Sequence, residues 1–312
     1  MTRMTRCILI GVVGSLLGGL SGCEGWPLPW LESAADRAQQ PVGLVQLIEF
    51  HDIQGLRNWA YALEQRNLKA LIYVQENILA AYPADIRWLA DQGHEIAGGY
   101  AEEPLWDVAY DTQYQVMSTT KALVEEVTGK PMRAFGSRYF AYDENTLRAA
   151  DALGVAYILA RGTSDVEALI YDPDEYACQL ISVSNVTFED MGHGSLCDYS
   201  LWARGSTAEE FAQVLQESLA KRPKRIMVAS HAYLGGMKQA WWTVYENLLD
   251  SGEIQWAESF DAWVTAASGV NIQVPLSMIP VNREVLYDTP TPAVPLEELE
   301  DVDQLYNPCG AP

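Results

Sequence analysis

Positive charge is scarce in this chain: 20 Lys and Arg stand against 42 Asp and Glu, a formal net charge of −22. Without a basic stripe the sequence has no counter-charge for a phosphate backbone or an anionic lipid surface, and nucleic acid is excluded as a partner. Histidine is scarcer still, with four residues, which limits any imidazole-rich metal centre. None of the five cysteines stands in a CxxC pair, so a thiolate zinc module is excluded. GxGxxG after the first strand, GxSxG, HExxH and a Gly-rich phosphate loop are all missing. Those absences remove the dinucleotide fold, the serine-hydrolase elbow and the zincin helix. No apolar run reaches the roughly 20 residues of a membrane-spanning helix.

What is present begins with a targeting pattern. Arg3 and Arg6 precede an apolar, Gly-rich run from Cys7 to Leu20, which ends in Leu20-Ser21-Gly22-Cys23. A basic start, a short apolar centre and a small-residue end define a secretory signal peptide over residues 1–22. Leu-Ser-Gly-Cys resembles a bacterial lipobox, which implies lipidation of Cys23 and a membrane contact through that lipid alone. Glu24 after the cysteine favours the outer membrane, or another periplasm-facing surface of the envelope. Residues 23–41 are rich in Pro and Trp and read as a tether. Export makes a disulfide permissible: Cys178 and Cys197 would close a modest loop, and Cys309 is an alternative partner for either.

From Val42 the chain acquires a strand–helix rhythm. Short apolar strands are predicted at 42–50, 68–75, 94–98, 132–137, 155–160, 180–188, 225–230 and 253–259. Helical apolar spacing lies between them, at 56–67, 112–129, 144–154, 207–222 and 238–250. Gly93 is placed to end a helix, and Thr207 with Glu210 to begin one. Between 161 and 206 the rhythm loosens. About seven or eight parallel strands covered by helices imply an α/β fold, a distorted (β/α) barrel over residues 42–269. A Pro- and acid-rich C-terminal tail follows over 270–312.

Barrels of this kind carry reactive groups where strands end on the C-terminal face. Glu49, His51 and Asp52 follow the first strand, and Tyr100, Glu102 and Glu103 the third. Arg138 and Tyr139 follow the fourth, and His231 and Tyr233 the strand at 225–230. Trp106 is placed to stack on a sugar ring, whereas Trp241 and Trp242 read as core. His94 reads as structural.

The segments GHEIAGGYAEEPLW and ALVEEVTGKPMRAFGSRYFAYDENTLRAADALGVAY resemble the polysaccharide deacetylases, the NodB homology domain of carbohydrate esterase family four. The resemblance runs from about Val42 to Ala267. It implies a NodB-like barrel, a divalent metal and a glycan or peptidoglycan-type substrate. The register also shows departures. The family's Thr-Phe-Asp-Asp corresponds to Glu49-Phe50-His51-Asp52, so Asp52 matches a metal-ligand Asp while His51 replaces the base. The two metal histidines fall on Gly99 and Glu103, and Gly136 falls at the usual Arg position. The Asp-Trp motif, sought near 161–175, is not recognisable. His231 matches the histidine that protonates the leaving group.

The resemblance therefore implies a degenerate site: Asp52 and Glu103 as ligands for zinc or a harder cation, and His51 and His231 in catalytic roles. Arg138, Tyr139, Tyr100 and Trp106 would contact substrate. With activity retained, N- or O-acyl groups of a glycan would be hydrolysed. The alternatives are a pseudoenzyme that binds glycan or an envelope partner, and a glycosidase using carboxylates such as Glu49 and Glu103.

Overall fold

The structure is a computed structural model and describes residues 40–163, 165–188, 192–266, 271–281 and 291–308. The signal peptide, Cys23 and Cys309 lie outside these residues. Among the described residues twelve strands are present: β1 Val42–Glu49, β2 Ala70–Gln75, β3 Glu95–Tyr100, β4 Ala134–Ser137, β5 Tyr157–Ala160, β6 Leu169–Pro173, β7 Gln179–Ser182, β8 Asn185–Phe188, β9 Gly192–Ser195, β10 Arg225–His231, β11 Gln255–Trp256 and β12 Asn271–Val274. The main sheet runs β10-β1-β2-β3-β4-β5-β7-β6-β12, with β11 against β1 and β8–β9 as a separate hairpin. Every pairing in the main sheet is parallel except β6–β7.

The sheet is a half-barrel that curls toward closure. Ala229 N, in β10, donates to Leu196 O at 3.0 Å, and Cys197 bridges to Ala229 in parallel. The segment after β9 thus joins the sheet's opposite edge.

Side-chain alternation explains the layering. Along β1, Leu44 and Ile48 belong to the interior cluster of the barrel, whereas Val45 and Leu47 pack under the helices. The helices follow the expected chemistry. Gln54–Gln65 buries Leu56, Trp59, Ala60 and Leu63 on one face. Ala208–Ala220 starts in a reciprocal cap between Thr207 and Glu210. Gly93, at φ 94°, supplies the left-handed turn after helix Pro83–Asp91. Trp241 and Trp242 are buried in the core.

Beyond residue 270, β12 pairs with β6. Residues 291–308 lie against the helices: Val302 N donates to Met237 O, Lys238 pairs with Asp301, and Tyr306 stacks on Tyr61 with centroids 3.8 Å apart. Among the described residues no helix is long and apolar enough to cross a membrane.

The expected Cys178–Cys197 disulfide does not form. Both thiols are free and buried. Cys178 belongs to the helix-side core and Cys197 to the barrel interior, so the sheet separates them. Cys178 Sγ instead faces Leu147 O at 3.7 Å.

Candidate functional site

At the C-terminal mouth of the half-barrel, strand ends surround a cavity of about 460 Å³. Its lining mixes aromatic rings (Phe50, Tyr73, Tyr139, Phe140, Tyr199) with Gln75, Glu102, Arg138, Arg161, Arg204, Cys197 and His231. Apolar walls with a few convergent polar groups are the usual form of a small-ligand site.

The best-organised part is built on β10. Its last residue, His231, sits among Phe50, Tyr199 and Tyr233, with ring centroids 6.0, 4.6 and 5.8 Å away. Its backbone N donates to Asp198 Oδ1 at 2.9 Å, and its Nδ1 lies 3.5 Å from the same oxygen. Asp198 is completely buried. Oδ1 also accepts from Tyr199 N at 2.6 Å, and Oδ2 from Ser230 Oγ at 2.8 Å. Ser230 Oγ in turn accepts from Trp59 Nε1 at 3.2 Å. Tyr245 Oη accepts from Asp198 N and donates to Ala229 O. Gly235 passes so close that a Cβ there would lie 2.2 Å from Asp198 Oδ2. The carboxylate is fixed from every side. Burial works against charge on His231, but the adjoining Asp198 and Cys197 outweigh it and raise its pKa to about 9.

Tyr139 forms another wall of the cavity. It and Phe140 are consecutive non-glycine residues in left-handed backbone, at φ 59° and 51°, a conformation that costs roughly 1–3 kcal/mol per residue. The turn holds the Tyr139 ring between guanidiniums, 5.0 Å from Arg138 and 5.9 Å from Arg161.

The residues expected from sequence divide into two groups. His231, Arg138 and Tyr139 line the cavity; His51, Asp52, Glu103, Tyr100 and Trp106 do not. His51 is exposed beside Tyr233, and burial lowers its pKa, with the nearby Asp52 charge opposing. Asp52 is exposed and accepts from Gln54 N at 2.7 Å, initiating the following helix. Glu103 is exposed in the loop after β3. Glu49 is fully buried; Oε1 accepts from Phe50 N and His51 N while Oε2 has no partner. Burial raises its pKa to about 8, against the N–H bonds from His51 and Phe50. Neither Glu49 nor Glu103 faces the cavity, so the paired-carboxylate glycosidase has no geometry here. His94 is structural: its Nδ1 accepts from Ala70 N, and burial pushes its pKa down to about 3.

The family's metal does not fit its expected position. A Cβ on Gly99 would lie 2.6 Å from the Tyr73 ring and 2.8 Å from Val74 O; one on Gly136 would lie 3.1 Å from the same ring. Tyr73 has taken the space that side chains at the two altered positions would need. The one group of potential ligands among the described residues is Cys197, Asp198 and His231, whose ligand atoms lie within 4.8 Å of one another. Asp198 already spends both oxygens on hydrogen bonds, which leaves a sulfur and a ring nitrogen, fewer than the three protein ligands of a catalytic zinc.

Sequence reasoning missed Tyr73, Arg161, Arg204 and above all Asp198. The Asp-Trp pair sought near 161–175 is absent there; the acid beside His231 is Asp198, followed by Tyr199. The one signal was an acid inside the otherwise apolar stretch SLCDYSLW.

Residues 54–158 match the polysaccharide deacetylase family. The match covers about a third of the chain, and the curled, mostly parallel half-barrel is the fold of the solved structures it resembles. Solved structures agree on the fold. A Mycobacterium smegmatis protein assigned as a polysaccharide deacetylase superposes with TM-score 0.58 at 14% identity, covering 80% of this chain and 97% of its own. An acetyl xylan esterase from Clostridium thermocellum, in complex with cobalt, gives 0.51 at 13%, over 75% and 100%. A family-four pseudoenzyme from Bacillus anthracis gives 0.51 at 9%, over 76% and 70%. No curated protein matches the chain by sequence.

Proposed function

We propose that this domain binds a glycan in the barrel-mouth cavity and does not use the metal chemistry of its family. The observation that carries the reading is the Tyr73 ring against Gly99 and Gly136, where the family register places a metal ligand and an arginine. The cavity supplies what sugar binding needs in their stead: Tyr139 and Tyr199 as stacking faces, and Gln75, Arg138 and Glu102 as polar partners. The arginines Arg138, Arg161 and Arg204 favour sugars that carry carboxylates, as in peptidoglycan-type glycans. We further propose that lipid on Cys23 holds the domain at the bacterial envelope, with residues 24–41 as tether; Cys23→Ala then abolishes palmitate labelling and membrane retention.

Kinship with the Bacillus anthracis pseudoenzyme's fold supports the reading, because a deacetylase barrel there persists without its chemistry. The test uses the full-length protein in mild detergent. Calorimetry with acetylated chitooligosaccharides and with muropeptide fragments detects binding that Tyr139→Ala weakens, and chelators leave that binding unchanged. Chelator-sensitive acetate release from the same glycans contradicts the proposal.

A further inference from the structure

One group in the cavity wall plays no part in glycan binding. Cys197 is a free thiol at the cavity, and its sulfur, an Asp198 oxygen and a His231 ring nitrogen lie within 4.8 Å of one another. We propose that Cys197 is a nucleophile for acyl transfer, with His231 as its base and Asp198 as the carboxylate that orients His231; the substrate class is an O-acylated sugar. The proposal rests on the cavity being the glycan site.

The argument begins with Asp198. Its oxygens are held by Ser230 Oγ, Tyr199 N and His231 N, and Trp59 and Tyr245 brace that network. A carboxylate so fixed, and facing His231 Nδ1, is arranged to set the orientation of the imidazole. That Nδ1 is buried, lies 3.5 Å from Asp198 Oδ1 and makes no hydrogen bond among the described residues, while His231 itself lines the cavity. The sulfur accepts from Ser200 N at 3.3 Å and donates to Ser200 Oγ at 3.2 Å.

The bland account is that Cys197 only begins helix Asp198–Trp202. Ser, Thr, Asp and Asn serve that position better than sulfur does, so the cap alone does not explain a thiol beside a His–Asp pair. Among the described residues no disulfide consumes the thiol either, since Cys178 lies across the sheet.

The chemistry closes without a metal. At alkaline pH, where His231 is neutral, the Cys197 proton passes to His231 as the sulfur attacks the acyl carbon. The ester C–O bond then breaks, and the sugar oxygen takes the proton from His231, leaving a thioester on Cys197. Water gives a proton to His231 and attacks the thioester carbon. The C–S bond breaks, the proton returns to sulfur, and the carboxylic acid departs.

The test uses full-length protein, p-nitrophenyl acetate and intact-mass spectrometry. The expected result is an acetyl adduct mapped to Cys197, absent from Cys197→Ser, with nitrophenol release at least about 100-fold slower in that variant and in His231→Gln. Cys197→Ser keeps an N-cap hydroxyl, and a thermal melt establishes that it folds. Equal rates in the wild type and a folded Cys197→Ser overturn the proposal. So does one equivalent of zinc that shields Cys197 from iodoacetamide. Either failure leaves glycan calorimetry untouched, whereas an adduct on Cys197 without glycan binding sinks the binding reading and leaves the nucleophile standing.

Discussion

Tyr73 decides what Gly99 and Gly136 mean. Either glycine alone reads as an absent side chain; together they pack around one aromatic ring, which occupies the space a side chain at either would need. Gly99→His therefore does not rebuild a metal site. It forces a side chain into the Tyr73 ring and Val74 O, and overpacking of this kind costs roughly 1–3 kcal/mol. The expected outcome is a melting temperature lower by several degrees, with partial recovery when Tyr73→Ala accompanies it. A Gly99→His variant as stable as the parent contradicts the packing argument.

Two buried groups at this scale set the pH response. His231 has its pKa raised to about 9, so its contribution to stability is fully present below the ordinary histidine range and is lost as pH rises through about 9. Glu49 stays protonated in the fold up to about pH 8 but ionises near 4.5 when unfolded, so it too lowers stability as pH rises between those values. Glu49→Gln keeps an oxygen for Phe50 N and His51 N while removing the ionisation. Thermal melts from pH 5 to 9 should show a shallower alkaline decline for Glu49→Gln than for the wild type; parallel curves contradict the assignment.

Elements differ in how much of them the sequence revealed. The parallel strands β1 to β5 and β10 were legible because each is a short apolar run between helices of clear 3.6-residue spacing. The region 161–206 was not. Its strands β6 to β9 are four or five residues long, and two of its pairings, β6–β7 and β8–β9, are antiparallel, so the strand–helix period that organises the rest disappears. Asp198 lies in that region, and its role comes from contacts with residues 33 and 47 positions later in the chain, which no local pattern encodes. His231 and Arg138 were legible because they stand at ends of periodic strands. Asp52 and Glu103 stand at such ends too, yet their side chains lie exposed outside the cavity.

The turn after β4 makes a prediction at the same scale. Tyr139→Gly relieves a left-handed residue and removes a ring from the cavity wall. Stability should hold or rise by about 1 kcal/mol, while glycan affinity falls. A variant that loses stability and keeps affinity reverses the role assigned to the turn.

For the whole molecule, an acidic surface and a cavity wall holding Arg138, Arg161 and Arg204 divide the labour. In the proposed reading the mouth offers cationic partners to acidic sugars. The half-barrel needs its later chain to hold the helices: Tyr306 on Tyr61 and Asp301 with Lys238 tie residues 291–308 to the rim. We infer that the space beside Gly99 and Gly136, filled by the Tyr73 ring, holds no metal. The measurement that meets it most directly is metal content after equilibration with zinc or cobalt and gel filtration, on wild type and Asp52→Ala. The prediction is less than a tenth of an equivalent in both (roughly the background expected without a three-ligand site). One equivalent in the wild type that vanishes in Asp52→Ala would contradict it.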